Sequence, residues 1–267
     1  MRVSTALTTT ILLLIAGASI AQNNAPLRVL ASNGMKAVID ELRPRLQQAA
    51  GRPLAIEFNT SAAVRQRIEA GENFDVAVLT AEVINELAKT GKIASGSTVD
   101  LGRSGIGFGV RTGAAKPDVA TPEAVKRTLL NAKSLTWVSV GASRVHIDRM
   151  LEGLGIASEV KAKTVLTPGV DESVALVADG KNEMIVTLTS EILPAKGVQY
   201  VGPLPAKFQS YVAFAAGLGT KASASGSASS FIKTLAAPTV ARVYESKGME
   251  LPIVGVPERQ PARAPTK

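Results

Sequence analysis

Residues 54–79 read LAIEFNTSAAVRQRIEAGENFDVAVL. The apolar run Leu54 to Phe58 reads as a strand, and Asp75 to Leu79 as another. Between them a short helix starts at Ser61, carries Val64 and Ile68 on one face, and stops at Gly71. Apolar residues four apart share a helix face, whereas compact runs of β-branched and aromatic residues bounded by polar turns pair as strands. A strand, a helix and a strand in this order predict a parallel pair with the helix packed across it.

The same rhythm extends in both directions. Upstream, the strand Leu27 to Ala31 precedes a helix with Met35, Val38, Ile39, Leu42 and Leu46 on one face and Pro44 inside it. Downstream, a helix with Ile84 and Leu87 closes at Gly91, and a strand covers Ile106 to Val110. Thr121-Pro122-Glu123 caps a further helix. Strands are then expected at Leu135 to Val140, Val160 to Leu166, Met184 to Thr187, Val198 to Val201 and Ser210 to Ala216. Helices are expected at Val145 to Leu154, Asp171 to Asp179, Ala228 to Ala236 and Val240 to Lys247, with Ala222 to Ser230 read as a loop and its cap. Two successive clusters of this kind predict an α/β protein with two lobes.

Composition narrows the chemistry. The 267 residues carry 30 Lys plus Arg against 22 Asp plus Glu, a net charge of +8, with no Cys and one His. Thiolate zinc sites, iron–sulfur clusters, disulfides and cysteine nucleophiles are excluded, and the single His146 cannot build a multi-histidine centre, so no metal and no cofactor are expected. The basic excess has neither a basic stripe nor interleaved aromatics, which argues against nucleic acid and for small anions.

The two ends have their own signatures. Arg2, the apolar run Ile11 to Ala16 and the small-x-small site Ser19-Ile20-Ala21 read as a signal peptide over residues 1–21, with export to the periplasm. Pro257, Pro261 and Pro265 alternate with Arg259, Arg263 and Lys267, which predicts a disordered basic tail over residues 256–267.

There is no P-loop and no G-x-S-x-G elbow; Gly105, Gly107 and Gly109 fall inside a strand and read as close packing rather than as a dinucleotide fingerprint. The positive signal is a set of strand-to-helix turns rich in small hydroxyl residues: Ala31-Ser32-Asn33-Gly34, Asn59-Thr60-Ser61-Ala62 and Gly141-Ala142-Ser143. Each is a good N-cap in its own right. Each also places unpaired helix N–H groups at the carboxyl end of a strand, where anions bind in open α/β sheets.

These pieces resemble the periplasmic molybdate-binding proteins of ABC importers. The resemblance runs through Leu27 to Ser32, Asn59 to Leu79, Lys116-Pro117-Asp118, and Val174 to Val177 leading to Ser190-Glu191. It implies the type II periplasmic-binding-protein fold, two α/β lobes with mainly parallel central sheets joined by two crossovers. Lobe 1 would be residues 27–103 plus 209–251, and lobe 2 residues 104–208.

It further implies capture of a small anion, foremost molybdate or a related oxyanion, for an ABC permease of the inner membrane, by a monomeric protein that is not an enzyme. The ligand-binding residues carried over are Ser32 and Ser61 from lobe 1, and Ala142, Ser143 and Val170 from lobe 2. The family's ligating tyrosine falls on Leu188, which cannot donate a hydrogen bond. Arg144 and Asp171, close to the lobe 2 turns, are unlike an all-neutral oxyanion cage. A small organic anion, or a serine-dependent hydrolase built on Ser61 or Ser143 with a nearby Lys, remain as alternatives.

Overall fold

The computed structural model describes residues 25–251. The expected signal peptide, residues 1–21, and the expected tail, residues 256–267, lie outside the described residues.

In chain order the elements are β1 (Leu27–Ser32), α1 (Lys36–Ala50), β2 (Leu54–Asn59), α2 (Ser61–Glu69), β3 (Val76–Thr80), α3 (Ala81–Lys89) and β4 (Val99–Arg111). They continue with α4 (Pro122–Asn131), β5 (Leu135–Val138), α5 (Arg144–Gly153), α6 (Ala157–Lys161), β6 (Thr164–Thr167), α7 (Val170–Ala178), β7 (Met184–Leu188) and α8 (Thr189–Ile192). The last are β8 (Val198–Pro203), β9 (Tyr211–Leu218), α9 (Ser225–Leu235), α10 (Ala241–Ser246) and β10 (Met249–Glu250). A 3-10 turn, Asn33–Met35, links β1 to α1. The α/β architecture is as the alternating pattern requires.

The strands form one continuous sheet in the order β2-β1-β3-β9-β4-β7-β5-β6. Parallel pairs sit on its flanks, where β1 pairs with β2 and β3, and β5 with β6 and β7. The expectation of mainly parallel sheets therefore holds only for the flanks. The centre is antiparallel, because β9 returns against β3 and β4, and β4 also opposes β7 and β8. The β4 strand is far longer than the Ile106 to Val110 run. Its partner changes from β9, last paired at Gly105, to β7, first paired at Ile106. At that change the Gln209 side chain accepts from the Ile106 N–H (3.0 Å) and donates to the Ile106 carbonyl (3.0 Å).

Helices cover both faces. On the β1 to β3 side, Val38, Ile39, Leu42 and Leu46 of α1 join the core with Phe231 and Leu235 of α9 on one face, while Val64 and Ile68 of α2 and Ile84 and Leu87 of α3 cover the other. On the β5 to β7 side, α4 and α5 enclose Trp137, and Val177 and Ile192 pack with Ile185 on the opposite face. Each such fully buried side chain contributes roughly 1.5–3 kcal/mol before entropy is charged. Helix α1 runs through Pro44 to Ala50 rather than stopping at the proline. Gly107 is as tightly packed as its place in a strand suggests; a Cβ there would lie 2.8 Å from the Gly202 carbonyl oxygen.

Two local expectations are corrected. Residues Ala157–Lys161 are helical, and the strand expected from Val160 starts at Thr164; only Val160 of that helix is buried, so a single apolar contact was misread as the head of a strand. The small-residue stretch read as a loop is already helix α9 from Ser225, held by the burial of Ala228.

Candidate functional site

The strand registers bring the polar turns to common levels. Ser32 is opposite Asn59, and Ala31 opposite Val78, so the turns after β1, β2 and β3 end side by side. Val138 is opposite Thr167, and Thr136 opposite Ile185, so the turns after β5, β6 and β7 do the same.

In the first set the hydroxyls are buried: Ser32 is 4 % exposed and Ser61 6 %. Thr60, not Ser61, is the cap of α2, its Oγ1 accepting from the Ala63 N–H at 3.2 Å, while Asn59 Oδ1 accepts from the Thr60 N–H at 2.8 Å. This frees Ser61 for another task. Its Oγ accepts from the Thr80 N–H at 3.1 Å, which orients the oxygen and leaves the hydroxyl hydrogen to donate. Ser32 sits at the N-terminus of the 3-10 turn and its side chain makes no capping bond. Both serines thus have a buried donor that secondary structure does not consume.

The second set is less uniform. Gly141 to Arg144 form a tight turn in which the Arg144 N–H donates to the Gly141 carbonyl (3.0 Å), and Ser143 is buried at the start of α5. Ala142 is half-buried, and Val140 and Val145 on either side are exposed, at 58 % and 57 %. Val170 is the first residue of α7 as expected, after the extended Gly169. The first N–H groups of a helix have no intrahelical partner, so Ser143 and Val170 both stand at donor-rich ends.

A chain of buried hydroxyls unmarked in the sequence sets the β6 to α7 turn. Thr167 donates its one hydrogen to the Gly169 carbonyl at 2.9 Å. By proton count Ser173 must then donate to Thr167 (2.6 Å), and Thr136 to Ser173 (3.1 Å). Three elements are locked by this relay. The only sequence hint was hydroxyl residues at otherwise apolar positions.

The two sets meet where the Asn33–Met35 turn packs on α8. A Cβ on Gly34 would lie 3.0 Å from Leu188 Cδ1 and 2.5 Å from Phe214 Cζ, so only glycine lets these turns come this close. Leu188 is buried at this meeting point and contributes an apolar wall, not a donor. Arg144 is paired with Asp148 (2.8 Å), and Asp171 is exposed in the first turn of α7.

Glu191, to which no role was given from sequence, is partly buried in α8. Its carboxylate accepts from the Thr187 hydroxyl and the Leu188 N–H, three residues before it, in the manner of a capping box. Burial pushes its pKa up to about 7, with Asp171 adding to the rise against these two hydrogen bonds. Among the described residues no three His, Cys, Asp or Glu side chains group as a metal site, and no helix is long and apolar enough to cross a membrane.

Residues 27–250 match the family described as Bacterial extracellular solute-binding protein. The chain belongs to that family. Among relatives of this solute-binding protein is one from Pseudomonas sp named aconitate isomerase, 30% identical over 236 residues that cover 86% of this chain and 89% of the relative. Among solved structures, the Azotobacter vinelandii periplasmic molybdate-binding protein has a TM-score of 0.70 at 17% identity, covering 85% of this chain and 99% of its own. The binding protein AgtB from A. tumefaciens R10, in complex with agropinic acid, has a TM-score of 0.64 at 14% identity, covering 85% and 83%. At these identities the two structures attest the shared fold, the one that the family resemblance implied.

Proposed function

We propose that this solute-binding protein is exported to the periplasm and captures a small organic polycarboxylate between lobes formed by residues 27–103 plus 209–251 and residues 104–208. The observation that carries the reading is the pair of buried hydroxyls, Ser32 and Ser61, whose hydrogens no cap consumes, at strand ends of the same sheet that carries the donor-rich turns at Ala142, Ser143 and Val170. The kind of anion follows from what surrounds them. Leu188 offers an apolar wall where a bare oxyanion needs a donor, and a buried acceptor left without one costs about 1.5–3 kcal/mol. Beyond the caps, Lys36 opens α1 and Arg144 opens α5, cations set to meet the outlying carboxylates of a multivalent ligand. Each now rests on an acid four residues on, Asp40 and Asp148. The 30% identical relative named for aconitate, a tricarboxylate, supports the same class.

Closure of the lobes adds the second set of contacts only when ligand is present, and that differential stabilises the closed form. In an import role the closed form is what an inner-membrane permease would receive. A second reading, molybdate, is favoured by the serines themselves, which suit a tetrahedral oxyanion without a paired cation. Isothermal titration of the chain from Gln22 onward against cis-aconitate, trans-aconitate, citrate, molybdate, tungstate and sulfate separates the two. Micromolar or tighter binding of a polycarboxylate with none of molybdate is expected; the reverse order overturns the ligand class, and no binding of any anion overturns the site.

A further inference from the structure

We propose that Glu191 is a general base and acid that isomerises a captured β,γ-unsaturated polycarboxylate by moving one proton along its allylic carbon chain. The inference rests on the polycarboxylate reading above and adds a reaction to it.

Its place carries the argument. Glu191 follows the carboxyl end of β7, at the level of the Ser139 and Thr167 turns, on a helix that packs against the turn after Ser32. Leu188, one helical turn earlier, touches Gly34 from the first set of turns. Glu191 therefore sits where the two sets of turns meet, and as a residue it is only partly buried. Its partners are neutral, the Thr187 hydroxyl and the Leu188 N–H, and among the described residues no lysine or arginine lies within ion-pair distance of it.

An acid that served only to cap α8 would gain from ionisation, since the helix N-terminus favours negative charge. The environment works in the opposite sense. Burial and the nearby Asp171 hold Glu191 close to half-ionised at neutral pH, the poise at which one carboxyl both takes and returns a proton. Packed near α8 is also Tyr200 of β8, whose pKa is raised by burial so that it stays a neutral phenol.

The step balances without an oxidant. The Glu191 carboxylate removes a proton from the methylene carbon that is α to one ligand carboxylate and allylic to the carbon–carbon double bond. The C–H electron pair becomes the new double bond, the old π pair moves to the far carbon, and the Glu191 carboxyl returns the proton there. Composition is unchanged. The charge that builds on the ligand carboxylate in between falls against helix N–H groups such as those at Ser143 and Val170, donors already aimed where negative charge develops.

The test uses the chain from Gln22 onward with cis- and trans-aconitate in deuterium oxide, followed by proton NMR beside isothermal titration. Interconversion of the two acids with deuterium entering the exchanged carbon is expected. Gln keeps the size of Glu and one acceptor oxygen but cannot take up a proton, so Glu191→Gln should still fold and still bind measurably by titration, yet exchange on the order of 100-fold or more slowly. The parent rate should rise with pH through the region of about 7 as the carboxylate forms, and the residual rate of the variant should lack that rise. Tight binding with no interconversion and no deuterium entry overturns the proposal and leaves the polycarboxylate reading standing. So does an unimpaired rate in Glu191→Gln, which assigns the proton transfer elsewhere. If neither acid binds, the polycarboxylate reading falls and the proposal with it.

Discussion

The two sets of strand-end turns hold corresponding places on the sheet with different chemistry. The turns after β1, β2 and β3 present buried neutral hydroxyls, set by backbone donors such as Thr80 N–H. The turns after β5, β6 and β7 mix helix N-termini with ionisable side chains, Arg144, Asp171 and Glu191, and with exposed valines at their lip. Buried neutral hydroxyls suit holding an anion without choosing its proton state. On the proposed reading, the set with ionisable side chains is where ligand identity, and any proton transfer, would be decided. The difference teaches that one set of turns was legible because caps use hydroxyls anyway, whereas the character of the other depends on which charges end up desolvated.

The largest expected effect is on the buried hydroxyls of the first set. Ser32→Ala and Ser61→Ala should each weaken ligand binding by about 1.5–3 kcal/mol, roughly 10- to 100-fold, and more together, as read by titration with the best ligand of the panel. Unchanged affinity in both would erase the comparison, since the first set of turns would then not be part of the site. Ser61→Ala should also cost some stability, because it strips the Thr80 N–H of its acceptor.

A smaller effect is expected from Ser173→Ala, which breaks the hydroxyl relay at its centre. Thr136 loses its acceptor and Thr167 its donor, so a loss of about 1–3 kcal/mol in unfolding free energy is expected from urea melts, with only a modest loss of affinity through the Val170 turn. An affinity loss as large as that of the serine variants would mean that the second half binds as tightly as the first.

The smallest is a pH effect. The Glu191 pKa is raised from 4.5 to about 7 in the folded chain, so its contribution to stability is fully present below about 4.5 and is lost as pH rises toward about 7. Above that the loss is complete and the slope ends. The difference in melting temperature between the parent and Glu191→Gln should therefore shift against the parent over this window; a flat difference from pH 5 to 8 would show that the carboxyl is solvated like any surface acid.

Much of the fold was readable before the structure because periodicity is local. Val64 with Ile68, or Ile84 with Leu87, declare a helix face from their own spacing, and Gly71 and Gly91, read as helix stops, do take left-handed backbone, with φ of 100° and 71°. The misreadings lie where one residue had to speak for an element, as Val160 did. Of the candidate site residues, each stands at the kind of turn expected, and Ser32 and Ser61 are buried there; that Thr60 caps α2 and so releases Ser61 was visible only in the geometry.

By itself the sequence determined most of the order of strands and helices, the absence of cysteine chemistry and of a multi-histidine centre, and the hydroxyl-rich turns at strand ends, since each is read from composition or from residues a few positions apart. Tertiary structure alone decided that β9 returns antiparallel to the centre of the sheet, that Thr136, Ser173 and Thr167 share one proton relay, and that Gly34 meets Leu188. It also decided the state of Glu191. Pairing across long stretches of chain and removal of a carboxylate from water are properties of distant neighbours, and no local pattern of residues encodes them.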